Sequence, residues 1–189
     1  MMPADPIEGG CFIAVVGPSG AGKDSVMRVA SEALAANPRV HFIRRVITRP
    51  YDAVGEDHQP ADEATFEAMR EAGGFALHWQ AHGNSYGIPA EADAMVAMGH
   101  AVIANLSRTV LADLPGRYRR PLVVEITAAP QILARRIAAR GRESEAEIAI
   151  RLGRKVVIEP FPGTIVIDNG GRLEDAGRAF ADLIRNALS

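Results

Sequence analysis

A chain of 189 residues and 20.2 kDa, 48% apolar and 23% charged with a net charge of −2, has the balance of one folded domain, which excludes disorder, a fibrous repeat and two full-sized domains. Its longest apolar runs fall well short of the ~20 residues of a bilayer span, its near-neutral charge leaves no electrostatic footprint for nucleic acid, and a single cysteine, Cys11, excludes an internal disulfide or a multi-cysteine metal site. The N-terminus carries acids where a leader would carry Lys or Arg, so the expectation is a cytoplasmic protein without a nucleic-acid or membrane partner. A homodimer is compatible with the sequence without being specified by it.

The first element is a continuous apolar run, Cys11–Val16, stopped by Gly17-Pro18-Ser19-Gly20; it reads as a buried strand ending in a turn, with Cys11 as a small buried residue. Val26, Val29, Ala30, Ala33 and Leu34 then recur with helical period, and Asn37-Pro38 supplies the stop. Further strands are expected over residues 41–47, 101–105, 122–126 and 164–167, and helices over 65–71, 91–98, 130–139, 144–155 and 174–188. Strands alternating with helices predict an α/β fold, a mostly parallel sheet flanked by helices. Residues about 48–88, rich in Gly, Asp and His, break the alternation and read as a small lobe inserted into a single domain spanning 1–189. Around residues 136–144, Pro130 suits a helix's first turn, Gly141 its end, and Ser144 with Glu147 a capping box for the next helix, so Arg140 and Arg142 fall at a joint.

The segment Gly17-Pro18-Ser19-Gly20-Ala21-Gly22-Lys23 fits the first seven positions of the phosphate-binding pattern G-x-x-x-x-G-K. Glycines let backbone N–H groups turn inward around phosphate oxygens, the helix N-terminus adds partial positive charge, and the lysine reaches the β- and γ-phosphates. Lys23 and Lys155 are the only lysines; every other basic residue is arginine, so a lysine at this position is informative. Where the pattern continues with Ser or Thr, this chain has Asp24 followed by Ser25. A carboxylate is a hard oxygen ligand, so Mg²⁺ is expected at Asp24, with Ser25 as the alternative anchor. The nucleotide site thus comprises residues 17–25, with Lys23 also acting in catalysis.

The GPSGAGK loop, Ile47-Thr48-Arg49-Pro50, His82-Gly83-Asn84-Ser85-Tyr86-Gly87 and the stretch from Arg136 through Arg140-Gly141-Arg142 to Arg151-Leu152 resemble the guanylate kinase family in order and spacing, over nearly the whole chain. Within it the chain is most similar to the ribose 1,5-bisphosphate phosphokinases of phosphonate catabolism, which have the GPSG-x-GKDS loop, a histidine matching His58 in Glu56-Asp57-His58, and an R-G-R-E run like Arg140–Glu143. The resemblance implies a P-loop kinase fold and transfer of the γ-phosphoryl group of ATP to ribose 1,5-bisphosphate, giving 5-phospho-α-D-ribosyl 1-diphosphate. It assigns Thr48, Arg49, His58 and Tyr86 to the acceptor and Asn169 to the adenine end of ATP, beside Asp168. It also implies an arginine-rich lid, about residues 136–146, whose Arg136 and Arg140 close with Arg151 on the transferring group.

Departures from guanylate kinase bear on the acceptor. Aligned on Tyr86-Gly87, the acidic residue that would recognise guanine falls on Leu77, which accepts no hydrogen bond from a base; the loop from Gly55 to Phe66 is short; and Asn105 follows a strand where many P-loop enzymes carry a metal-linked aspartate. A guanylate or other nucleoside monophosphate kinase remains the alternative. The intact Gly17, Gly22 and Lys23 argue against a non-catalytic binding module.

A phosphate acceptor is largely ionised at neutral pH and needs no general base. What must be offset is repulsion between two polyanions. Residues 135–155 carry seven basic side chains against three acids, which suits that task, and Arg45 is a candidate helper at the acceptor. His78 and His82, four apart, lack a third ligand at a suitable spacing and are not read as a metal site.

Overall fold

The structure, a computed structural model, describes residues 5–50, 57–139 and 161–188. Its centre is a five-stranded parallel sheet, ordered β2-β7-β1-β8-β9, built from β1 (Cys11–Val16), β2 (Val40–Phe42), β7 (Ala101–Asn105), β8 (Leu122–Thr127) and β9 (Ile165–Asp168). β1 lies in the middle, every residue of it buried, which is why it reads as an unbroken apolar run. Its side chains alternate between two faces. Cys11, Ile13 and Val15 meet α1 (Lys23–Leu34) and α6 (Leu173–Ala187) through Val26, Ala30, Phe180 and Ile184. Phe12, Ala14 and Val16 share the opposite core with Val96 of α3 (Glu91–Ala97), Val110 of a 3₁₀ turn (Arg108–Asp113), and Leu114 of α4 (Leu114–Arg117).

That second core also contains a second, four-stranded sheet, ordered β4-β3-β6-β5, from β3 (Val46–Ile47), β4 (Gln59–Pro60), β5 (Phe75–Ala81) and β6 (Asn84–Pro89). Ile47, Leu77, Trp79, Tyr86 and Ile88 of this sheet pack with Phe12, Ala14 and Val16. α2 (Glu63–Glu71), N-capped by Asp62 through a bond from the Thr65 N–H, covers its other face with Phe66 against Phe75.

One expectation requires correction and another is extended. The run 41–47 is not one strand: β2 belongs to the parallel sheet, and after Ile43, whose N–H still bonds the Ile103 carbonyl at 2.8 Å, the chain crosses to the second sheet as β3. Val40 and Phe42 of β2 pack on one core and Ile47 of β3 on the other, and strands of three and two residues are too short for hydrophobic pattern alone to register the change of partner. The stretch 48–88, read as a small inserted lobe with one helix, also carries the β5–β6 hairpin. Its turn is the two-residue loop His82-Gly83 between paired Ala81 and Asn84, with φ of 52° and 74°, the double left-handed geometry that matches the twist of hairpin strands. Elsewhere the elements fall within a residue or two of the expected bounds, with Pro130 at the first position of α5 (Pro130–Ala138). Gly141, Ser144, Glu147 and the helix expected over 144–155 lie outside the described residues.

Helices α1 and α6 approach closely at Gly177, where an added Cβ would lie 2.2 Å from Val29 Cγ1 and 2.6 Å from Val29 Cβ. Alanine there gains up to about 1 kcal/mol of helix propensity but meets an overpacking cost of about 1–3 kcal/mol. Gly177→Ala is therefore expected to lower the urea midpoint, and Val29→Ala in the same chain to restore much of the loss.

At the opposite end of β1, the Cys11 thiol donates to the Arg120 carbonyl at 3.1 Å, and burial pushes its pKa up to about 11 from 9.0. Burial, then the Asp93 carboxylate to which it donates at 2.8 Å, likewise raises the Tyr118 phenol above its ordinary value. Both groups deprotonate more readily unfolded than folded. The stability they contribute is complete below about pH 9 and is lost as pH climbs, Cys11 accounting for about 2–3 kcal/mol between pH 9 and 11. Chemical denaturation from pH 8 to 11 checks this: Cys11→Ala should flatten the first part of the fall, and the native thiol should resist Ellman's reagent at pH 8.

Candidate active site

The site begins where β1 ends. Because β8 is the neighbour of β1, with Val16 opposite Glu125, the next residue, Gly17, turns over the Ile126 carbonyl. A Cβ on Gly17 would lie 2.1 Å from that oxygen, and its φ is +148°, so only glycine allows the chain to bend there. Pro18, Ser19, Gly20 and Ala21 complete the bend, with the Ala21 N–H bonded to the Pro18 carbonyl at 3.2 Å, and Gly22 enters α1 with φ 81°. No side chain caps the helix. Its first backbone N–H groups therefore keep their capacity to bind an anion, reinforced by the helix dipole. Lys23 folds over the loop, its Nζ donating to the Gly17 and Pro18 carbonyls at 3.0 and 3.4 Å.

Asp24 and Ser25 are exposed in the first turn of α1. Asn105, buried at the end of β7, donates from Nδ2 to Asp24 Oδ1 at 3.2 Å. An amide donor thus stands where a second carboxylate would have repelled Asp24. A carboxylate and a hydroxyl side by side are a donor set suited to a hard divalent cation. Among the described residues no group of three or more His, Cys, Asp or Glu side chains gathers elsewhere to hold a metal. The exposed His78 and His82 lie on β5 and in the hairpin turn.

Asn169, directly after β9, is 2% exposed and donates from Nδ2 to the Ala21 carbonyl at 2.8 Å; its own carbonyl accepts from Arg136 Nη2 at 2.9 Å. Arg136 lies in the last turn of α5. Its Nη1 is buried and without a hydrogen-bond partner among the described residues, as are Asn169 Oδ1 and Arg49 Nε. A polar atom left so costs about 1–3 kcal/mol. The structure thus brings Arg136 and Asn169 to the phosphate loop; Arg140 and Arg151 lie outside the described residues.

The remaining sequence candidates gather on the second sheet. Thr48 Oγ1 accepts from the Ser85 N–H at 2.8 Å, linking the strand ends that carry Arg49 and Tyr86. Tyr86 stacks on Trp79 at 5.4 Å, and the Arg45 guanidinium lies 5.1 Å from the Tyr86 ring and 5.7 Å from Trp79, a cation held against an aromatic floor. Leu77 is buried on the same strand as Trp79. His58, expected to donate to substrate, is fully buried, its Nε2 3.1 Å from the Arg49 carbonyl, so here it braces the backbone of Arg49. Two features escape the sequence reading: Trp79, flagged only by the alternation Leu77-His78-Trp79-Gln80, and the ion pair of Glu125 with Arg108. The signal for the latter is an acid interrupting the apolar β8 opposite the last residue of β1.

Residues 13–150 match a model described as an AAA domain. A protein named ribose 1,5-bisphosphate phosphokinase PhnN from Brucella melitensis is 51% identical over 172 residues, covering 90% of each chain, and one of the same name from Pseudofrankia inefficax is 49% identical, covering 94% of this chain and 92% of its own. The chain belongs to the ribose 1,5-bisphosphate phosphokinase family. Its fold is that of guanylate kinase: the crystal structure of guanylate kinase from Anaplasma phagocytophilum superposes with a TM-score of 0.67 at 16% identity, covering 95% of this chain and 86% of that one. Membership makes the chain a P-loop kinase. Among the described residues no helix is long and apolar enough to cross a membrane.

For this family member the geometry of Gly17 is decisive. Gly17→Ala should push the loop off Ile126 and weaken MgATP binding at least tenfold while β1 and α1 persist, measured by calorimetry beside far-ultraviolet circular dichroism.

Proposed function

We propose that the chain transfers the γ-phosphoryl group of ATP to ribose 1,5-bisphosphate, yielding 5-phospho-α-D-ribosyl 1-diphosphate and ADP. The observation that carries this reading is an intact phosphate loop, Gly17 to Lys23, on a chain about half identical to proteins named for that reaction. The loop's backbone N–H groups and Lys23 bind the β- and γ-phosphates. The acceptor's 1-phosphate oxygen attacks the γ-phosphorus in line; the new P–O bond forms as the bond to the β-phosphate oxygen breaks, and ADP leaves with that electron pair. No protein base takes a proton, because the acceptor is already an oxyanion.

Unit charges ~4 Å apart repel by about 4 kcal/mol at an effective dielectric of ~20, so the site needs several cations. Lys23 and Arg136 act at the donor; Arg49, positioned by Thr48 and His58, acts at the acceptor with Tyr86. Arg45, on its aromatic floor, adds charge on the acceptor side. Arg140, in a lid of about residues 136–146, closes together with Arg151 on the transferring group and excludes water. Asp24, oriented by Asn105, and Ser25 would hold Mg²⁺, which would supply positive charge to neutralise the polyphosphate. A cytoplasmic location fits such substrates.

The guanylate kinase fold supports a second reading, a nucleoside monophosphate acceptor. The buried, apolar Leu77 speaks against it, since it offers nothing to a base edge.

ADP release measured with MgATP and, in parallel, ribose 1,5-bisphosphate, GMP and AMP separates the two. Turnover of the bisphosphate alone is expected, and turnover of GMP alone would reverse the assignment. Lys23→Ala should fold normally and lose about 100-fold or more in kcat; Asp24→Ala should raise the Mg²⁺ concentration needed for half-maximal rate.

A further inference from the structure

Asn169 is held from three directions by three parts of the fold. Its N–H donates to the Thr127 carbonyl at the end of β8 at 2.7 Å, its side-chain Nδ2 to Ala21 in the phosphate loop at 2.8 Å, and its carbonyl accepts from Arg136 of α5 at 2.9 Å. The amide nitrogen sits 2.6 Å from where a Cβ on Gly22 would be, so the side chain fills the hollow behind the loop's last glycine. Arg136 Nη1, buried and without a partner among the described residues, comes within 4.0 Å of the same point.

We infer that Asn169 is a positioning residue that ties the phosphate loop and Arg136 into one register, acting on the polyphosphate end of the nucleotide and not on its base. The side chain grips Ala21 while the main chain of the same residue holds Arg136, so a shift of one is passed to the other through a single buried residue. With Nη2 committed to the Asn169 carbonyl, the Nη1 donors of Arg136 are presented beside Gly22, where the helix N-terminus already favours an anion. Arginine suits this double duty because its donors are fixed in one plane. Asn169 Oδ1 faces the same buried region as an acceptor and has no partner among the described residues, so the side chain's contribution to the loop is its Nδ2 donor.

This inference rests on the loop's being the nucleotide site, and base-free inorganic tripolyphosphate is the probe that tests it independently of the acceptor. Binding of MgATP, MgGTP and magnesium tripolyphosphate is measured by calorimetry for wild type, Asn169→Ala, Arg136→Met and the double variant. The expected result is a loss of about tenfold for all three probes in Asn169→Ala, and less than about twofold further loss when that change is added to Arg136→Met. Loss confined to MgATP would make Asn169 a base contact and overturn the inference, as would unchanged binding or additive losses. Asn169→Leu, matched in volume and lacking the amide, gives the same comparison if the alanine variant is unstable, with thermal midpoints recorded for each. A wild-type chain that binds all three probes but leaves ribose 1,5-bisphosphate untouched would overturn the acceptor assignment while the Asn169 assignment stands; one that binds none of them overturns both.

Discussion

The approach of Gly17 to the carbonyl of Ile126 governs this molecule. β1 and β8 lie side by side, and the bend out of β1 clears its neighbour only because it carries no side chain. From that clearance follows the course of residues 17–22, the uncapped start of α1, and the placement of Lys23 and Asp24 in its first turn. A helix N-terminus left without a side-chain cap is a cost in a fold that has no use for it, because backbone donors go unmatched. In a phosphate site the same donors are the binding groups.

The two sheets are not independent modules. Leu77, Trp79, Tyr86 and Ile88 of the smaller sheet share a core with Phe12, Ala14 and Val16 of β1, the strand that leads into the phosphate loop. The floor on which Arg45 lies is thus built on the support of the phosphate loop. The polar counterpart of this apolar link runs along the other edge, where Asn169 joins β8, the loop and α5. The phosphate loop is thus tied to the second sheet by burial on one side and to β8 and α5 by hydrogen bonds on the other.

Charge is arranged with similar economy around Asp24. An aspartate at the head of a helix is favoured by the dipole, and the neighbouring position on β7 carries Asn105, whose amide donates to it. Two carboxylates at that separation would share a proton or repel; the amide instead donates to Asp24 and orients it.

Much of this was legible in the chain itself, because local patterns follow from local physics. Continuous apolar runs marked the buried strands β1, β7 and β8, helical period marked α1 and α6, and Gly17, Gly22 and Lys23 at their spacing marked the phosphate loop. The division of residues 41–47 between two sheets was not legible, since strands of three and two residues are too short to show a period of their own. Nor was the hairpin at His82-Gly83, whose turn residues are not a strong hairpin pair and whose strands are interrupted by polar side chains. Candidate residues for the site could be named from their types and order along the chain, for glycine, lysine and arginine advertise their chemistry. Which of them meet could not: Asn169 and Ala21 are 148 positions apart and Asn105 and Asp24 are 81 apart. Sequence order carries no distance once the chain folds back, and only the packing of strands β7, β8 and β9 around β1 brings those pairs within reach of a hydrogen bond.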